Sequence, residues 1–292
     1  MNIRKLNVRG LNYHIQEWGS PNKPLLFLLH GWMDCGASFK FMAEYLKDDF
    51  FLVAPDWRGF GETDHAAGYW FADYYADLEF ILNEYSADQA VDLVGHSMGG
   101  NIALMYAGIR PERVARVMSL EGLGLSDTTS ESSPSHVARW LDEITLDQET
   151  KIYPDIETLK VSIRTGNPSL SEEMVTELTY LWAKQCGESG QMQLKHDHAH
   201  RYPSSQRYNF QDVLAAWKQV TAEAAIVMAE DSSFYRRYLR SGRIDEAVAS
   251  LPMTDESVFL VQQASHMLHL EQPKSVASLV QTFFVAKPRK VS

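Results

Sequence analysis

The sequence predicts an α/β protein: one mostly parallel, doubly wound sheet of about eight strands, interrupted by an inserted helical segment. Three observations carry this. Almost wholly apolar runs such as "PLLFLLHG", "FFLVAPD" and "AVDLVG" recur with helix-period segments between them, the pattern of parallel strands covered on both faces. From about residue 124 to 218 that alternation stops, and a polar stretch with helical periodicity replaces it. Strand-like runs then resume at "AEAAIVMA" and "ESVFLVQQ". Residues 1–123 and 219–292 are therefore expected to form a core, with 124–218 as a helical cap inserted into it.

Taken in order, "IRKLNVRG" and "LNYHIQEWG" read as two paired strands turning at Gly10. "PLLFLLHG" is the first buried strand, and residues about 36 to 47 fit a helix. "FFLVAPD" is the next strand, followed by a helix over about 70–86 and the strand "AVDLVG". "NIALMYAGI" is apolar on every side, so a well-buried helix is expected. "RVARVMSLEG" is a further strand. In the inserted segment, Val137, Trp140, Leu141 and Ile144 share one helical face. Ile156, Leu159 and Ile163 mark a second helix, and Met174, Leu178, Leu181 and Trp182 a third. A last helix spans about 273–285.

The 292 residues are 45% hydrophobic and 22% charged, enough for a sizeable core. A net charge of -11 argues against nucleic acid or an anionic membrane as the main partner. The basic tail Lys287-Pro288-Arg289-Lys290 reads as a solvated end. Two distant cysteines, Cys35 and Cys186, make neither a disulfide framework nor a metal cluster. The N-terminal stretch lacks an apolar signal region, and "LLFLL" is too short to span a membrane. A cytoplasmic location is expected, as monomer or homodimer.

The chemistry is read from Gly95-His96-Ser97-Met98-Gly99. A serine between small residues, where a strand gives way to a helix, fits the G-x-S-x-G elbow. The turn is so tight that the flanking positions admit only small side chains. The hydroxyl stands clear of the sheet, and the Met98 amide opens the helix, where N–H groups lack intrahelical partners. In "LLHGWMD", His30-Gly31 ends a buried strand, and the Trp32 amide can face the same point. Two such donors would hold a developing oxyanion, each worth on the order of 10²–10³ in rate.

Together His30-Gly31-Trp32, Asp56-x-Arg58-Gly59-x-Gly61-x-Thr63, Gly95-x-Ser97-x-Gly99 and "ASHMLHLEQP" at 264–273 resemble the α/β-hydrolase superfamily, in order and across the whole sheet. The resemblance implies a capped serine hydrolase of the esterase-like branch, with Ser97 as nucleophile. It implies His266 as the base, with His269 as a rival better explained by packing, and His96 as a space-filler under the elbow. The third triad member departs from the common pattern. Ala229 stands at the usual glycine, and Ser232 where the acid is expected; Asp231 is one residue early and Glu230 two. The superfamily's other location, after the sixth core strand, offers Glu121 in Ser119-Leu120-Glu121-Gly122. Glu121 is preferred, and Asp231 remains the alternative.

A serine alkoxide adds to carbonyl carbon, so the expected reaction is cleavage of a small ester, thioester, lactone or related carbonyl substrate through an acyl-enzyme. No cofactor or metal is required. Two other functions fit the same scaffold: a ligand-binding or receptor protein with vestigial activity, suggested by the displaced acid, and a cofactor-free perhydrolase or oxidase. In the cap, Trp140, Trp182 and Trp217 are candidates for an apolar pocket, although packing between helices explains them more simply. The alternating His196, His198 and His200 of "HDHAHR" would share a face in a strand, as a zinc site requires, but they read better as a loop.

Overall fold

The computed structural model describes residues 1–146, 151–187 and 190–285. The basic tail lies outside them. The main sheet has eight strands: β1 (Asn2–Val8), β2 (Leu11–Trp18), β3 (Leu25–Leu29), β4 (Phe51–Pro55), β5 (Val91–His96), β6 (Val114–Leu120), β10 (Glu223–Ala229) and β11 (Val258–Val261). Their order is β1-β2-β4-β3-β5-β6-β10-β11. β1 and β2 pair antiparallel, as do β2 and β4; every other pairing is parallel. The β1–β2 turn is made by Arg9 and Gly10, with φ 52° and 88°, the two left-handed residues a tight hairpin needs.

The apolar runs follow from burial on both sides. In β3, Phe27 and Leu29 join one core cluster while Leu26 and Leu28 join the other. The first cluster is covered by α2 (Phe71–Tyr85), α3 (Met98–Ile109), α7 (Phe210–Trp217) and α9 (Arg243–Ser250). The second is covered by α1 (Lys40–Leu46) and α11 (Pro273–Phe284). Each strand residue thus loses apolar surface to a helix, at about 25 cal/mol per Å² buried. The remaining helices are α4 (Ser133–Ile144), α5 (Ile156–Gly166), α6 (Glu172–Trp182), α8 (Ser233–Arg240) and α10 (Leu268–Glu271).

Between β6 and β10 the chain differs from a purely helical insertion. It contains a small antiparallel sheet in the order β7 (Ile152–Tyr153), β9 (Gln191–Leu194), β8 (Ala183–Cys186). Strands this short and polar carry too little periodicity to be read in advance. Tyr153, Leu159, Val175, Leu178 and Met192 form a separate core that reaches Leu270 of α10. α7 does not share that core. Its Phe210, Val213 and Trp217 pack in the main cluster, and it approaches α3 so closely that a Cβ on Gly108 would lie 2.1 Å from the Ala216 carbonyl oxygen. α4 buries none of its side chains. α8 and α9 span eight residues each, about two turns, too short for a helical period to stand out in advance. Among the described residues no helix is long and apolar enough to cross a membrane.

Candidate active site

The site gathers at the carboxyl ends of β3, β5, β6, β10 and β11, where open α/β sheets place ligands. Ser97 links β5 to α3 with φ 51° and ψ −111°, a strained combination for a residue with a Cβ. Neighbouring bonds hold it there. The Ser97 amide donates to the Leu120 carbonyl at 2.8 Å, and the Asn101 amide donates to the Ser97 carbonyl at 3.0 Å. The flanking glycines answer to space: a Cβ on Gly95 would lie 2.3 Å from the Gly99 carbonyl oxygen, and one on Gly99 2.1 Å from that of Leu29.

His266 lies in the loop between β11 and α10. Its Nε2 is 3.0 Å from Ser97 Oγ, and its Nδ1 is 3.1 Å from Glu121 Oε2. The loop is braced from three sides. Glu271 accepts from the Ser265 amide at 2.6 Å and from the Ser265 hydroxyl. His96 Nε2–H donates to the His266 carbonyl at 2.7 Å. The Phe234 ring stacks on the imidazole with centroids 4.0 Å apart.

Glu121 follows β6 with a left-handed φ of 58° and is 1% exposed. A carboxylate this deep must be satisfied, and it is. Oε1 accepts from the Ala229 amide at 2.9 Å, while Oε2 accepts from the Ser232 hydroxyl and faces His266. Asp231 is exposed and has no hydrogen bond to His266. Its amide donates to the Ala264 carbonyl at 2.9 Å, which fixes the backbone and leaves the carboxylate in solvent.

The structure therefore brings Ser97, His266 and Glu121 together and leaves Asp231 apart. It also adds residues that sequence reasoning passed over. Ser232, noticed only as the place where an acid was missing, donates to Glu121. It also caps α8 by accepting from the Phe234 amide at 3.1 Å. Phe234 carried no motif. His96 does more than fill space, because its bond to the His266 carbonyl ties the Ser97 turn to the His266 loop.

The His30-Gly31-Trp32 loop borders Ser97: a Cβ on Gly31 would lie 3.2 Å from that of Ser97. His30 fixes the loop by donating Nδ1–H to the Gly31 carbonyl at 2.7 Å and accepting the Trp57 amide on Nε2 at 2.8 Å. Trp32 is 52% exposed, and its indole N–H donates to the His200 carbonyl at 3.3 Å. Met98 is the first residue of α3, so its amide has no partner within the helix.

The three tryptophans expected near a pocket part ways. Trp217 is in the main core. Trp182 donates its indole N–H to Asp34 at 2.8 Å. Trp140 sits on α4, which buries nothing. The "HDHAHR" histidines lie at and before a 3₁₀ turn, His198–Arg201, so they share no strand face. His200 stacks between Phe60 and Tyr69, each centroid 3.7 Å away, and burial lowers its pKa to about 3. Among the described residues, Asp34, His96 and His269 form the one cluster with metal-ligand spacing.

The sequence model of the family described as "alpha/beta hydrolase fold" matches residues 24–273. The chain is 26% identical over 278 residues to "Serine hydrolase-like protein" of Danio rerio, covering 92% of this chain and 83% of that one. It is 25% identical over 300 residues to "Epoxide hydrolase 4" of Homo sapiens, covering 96% and 78%. In three dimensions it is similar to "Thioesterase Domain From Curacin Biosynthetic Pathway", with a TM-score of 0.84, 24% identity, and coverage of 97% and 99%.

Proposed function

The chain belongs to the alpha/beta hydrolase fold family, and from that premise we propose that it is a serine hydrolase acting on a small carbonyl substrate through an acyl-enzyme. One observation carries this reading: Ser97 Oγ, His266 Nε2, His266 Nδ1 and Glu121 Oε2 form an unbroken line, with hydrogen-bond distances of 3.0 and 3.1 Å at its two contacts.

The steps follow from that line. His266 Nε2 takes the Ser97 proton as Oγ attacks the carbonyl carbon, and the imidazolium is held by Glu121. The carbonyl oxygen becomes an oxyanion facing the Trp32 and Met98 amides. Collapse breaks the bond to the leaving group, which takes the proton from His266 and departs. Water then gives a proton to His266 and attacks the acyl carbon, and Ser97 regains its proton as the acid is released. Ester, thioester and lactone carbonyls all fit this sequence. The segment 124–218, apart from α7, is read as a lid over these groups, joined to the core by the Trp32–His200 and Trp182–Asp34 bonds.

The likeness to a protein named epoxide hydrolase motivates a second reading. Opening an epoxide through a covalent intermediate needs a carboxylate that can be alkylated, and the elbow here carries a hydroxyl. The carbonyl reading is therefore preferred. Labelling with a fluorophosphonate probe tests it: Ser97 should be captured, and capture should vanish in Ser97→Ala and His266→Ala. Folded protein that is never labelled, or that opens styrene oxide with Ser97→Ala as fast as without it, would refute the proposal. A panel of p-nitrophenyl esters, thioesters and lactones would then rank the acyl groups.

A further inference from the structure

Beneath the elbow lies a second cluster that the proposed reaction does not use. Asp34, His96 and His269 come from three segments: the loop after β3, the end of β5 and the short helix α10. They are 3%, 1% and 0% exposed. One ligand atom from each lies within 4.8 Å of the other two, and His269 Nε2 is 3.4 Å from Asp34 Oδ2.

The donor chemistry is what distinguishes this cluster from ordinary packing. The His96 Nε2 faces a carbonyl oxygen, which can only accept, so Nε2 carries the hydrogen. Its Nδ1 is then a bare lone pair, fully buried and without a hydrogen-bond partner. His269 Nδ1 is likewise buried without a hydrogen bond, while its Nε2 has only the Asp34 carboxylate to face, 3.4 Å away. Polar atoms so poorly satisfied at this depth are costly, and they lie beside a buried carboxylate. The groups supporting His96 and Asp34 also match a metal centre. A ligating histidine usually donates its other N–H to a carbonyl or carboxylate, and a ligating carboxylate is itself hydrogen-bonded. His96 donates in this way. Asp34 Oδ2 accepts from the Ser38 hydroxyl at 2.8 Å and Oδ1 from the Trp182 indole at 2.8 Å.

We infer that Asp34, His96 and His269 bind one transition-metal ion of zinc type, through a carboxylate oxygen and two imidazole nitrogens. Two nitrogens and one oxygen suit zinc better than calcium or magnesium, which take oxygen donors. Zinc bonds of about 2.0–2.2 Å set tetrahedral ligand atoms about 3.4 Å apart, so a pair at the 4.8 Å limit closes by about 1.4 Å. Three protein ligands leave a fourth position for water. A small cavity of about 10 Å³ borders Asp34, Trp182 and His196. The ion joins the segments that carry Trp32, Ser97 and His266, so it acts as a staple below the catalytic groups rather than as a participant in the reaction.

The test uses full-length protein stripped with a chelator and titrated with Zn²⁺ and then Co²⁺. The expected result is one equivalent of zinc by elemental analysis. The melting temperature should rise by about 5 °C or more when free zinc is a hundredfold above Kd. Cobalt should give the strong visible absorption of a four-coordinate ion. His269→Gln and Asp34→Asn should each lower zinc affinity at least tenfold, while His198→Gln should leave it unchanged. Zinc should still bind Ser97→Ala, so the site stands or falls apart from the hydrolase reading. Stripped wild-type protein that takes up no stoichiometric zinc overturns the inference. So does binding that survives both variants or is lost in His198→Gln. If the two variants do not fold, X-ray absorption of the wild-type zinc complex decides: two imidazoles support the site, and none or three refute it.

Discussion

The ends of β6 and β10 lie side by side in the sheet, and each presents an acid. At the end of β6, Glu121 is buried, bonded to the Ala229 amide and the Ser232 hydroxyl, and 3.1 Å from the His266 ring. At the end of β10, Asp231 is exposed and its carboxylate faces water. The strand end that follows the commoner superfamily pattern is thus the one without an acid in reach. Its contribution is Ser232, a hydroxyl that donates to the neighbour's carboxylate. Which acid can serve a histidine is decided by reach and by the donors that keep the carboxylate charged at depth, rather than by which strand carries it.

Removing the carboxylate at β6 should break this arrangement most severely. Glu121→Gln keeps the shape but loses the charge that holds the imidazolium. Its amide can donate to Nδ1 and turn His266 to the wrong tautomer. The expected fall in kcat is about 10⁴-fold, by analogy with the serine-protease triad, with KM little changed. Steady-state kinetics on any ester that the enzyme turns over would check it. A fall below tenfold would mean that His266 draws its support from somewhere else.

Ser232→Ala sharpens the comparison, because it leaves the acid and removes what the other strand end lends it. A hydrogen bond to a charged group is worth about 1.5–3 kcal/mol, so kcat should fall by about ten- to a hundredfold. Loss of the α8 cap should also cost about 1 kcal/mol of stability. The two effects separate by readout: steady-state kinetics follows the support of Glu121, and the melting temperature follows the cap. A lower melting temperature with an unchanged kcat would make Ser232 a cap and nothing more.

The contrast also shows what a sequence makes legible. The sheet was readable because strands buried on both faces must be apolar along their whole length, as Leu26–Leu29 are. The elbow was readable because Gly95 and Gly99 have no room for a Cβ, which leaves a compositional mark. Glu121 and Asp231 could only be ranked, because the deciding facts are the left-handed φ at 121 and the aim of a loop, and neither leaves such a mark. Ser232, Phe234 and the His96 tie reach across about 30 to 170 positions to groups on other segments. The short strands β7–β9 were too brief for a period of two to show. α7 looked like part of the insertion because chain order put it there, whereas its apolar face packs with the main core through Trp217.

The smallest expected effect is also the most diagnostic of the two strand ends. Asp231→Asn removes a charge that is solvated in the folded enzyme and in the unfolded chain alike. No desolvation is relieved, and exposed charges of this kind are worth about 0–1 kcal/mol. The Asp231 amide still donates to Ala264, so the loop that carries Ser232 keeps its path. Turnover should stay within about twofold of the parent, and stability within about 0.5 kcal/mol. Measured beside Glu121→Gln under the same conditions, the pair should differ by more than a thousandfold. If Asp231→Asn were instead the more damaging change, the loop after β10 would have to swing inward during turnover, and the β6 carboxylate would be only a structural anchor.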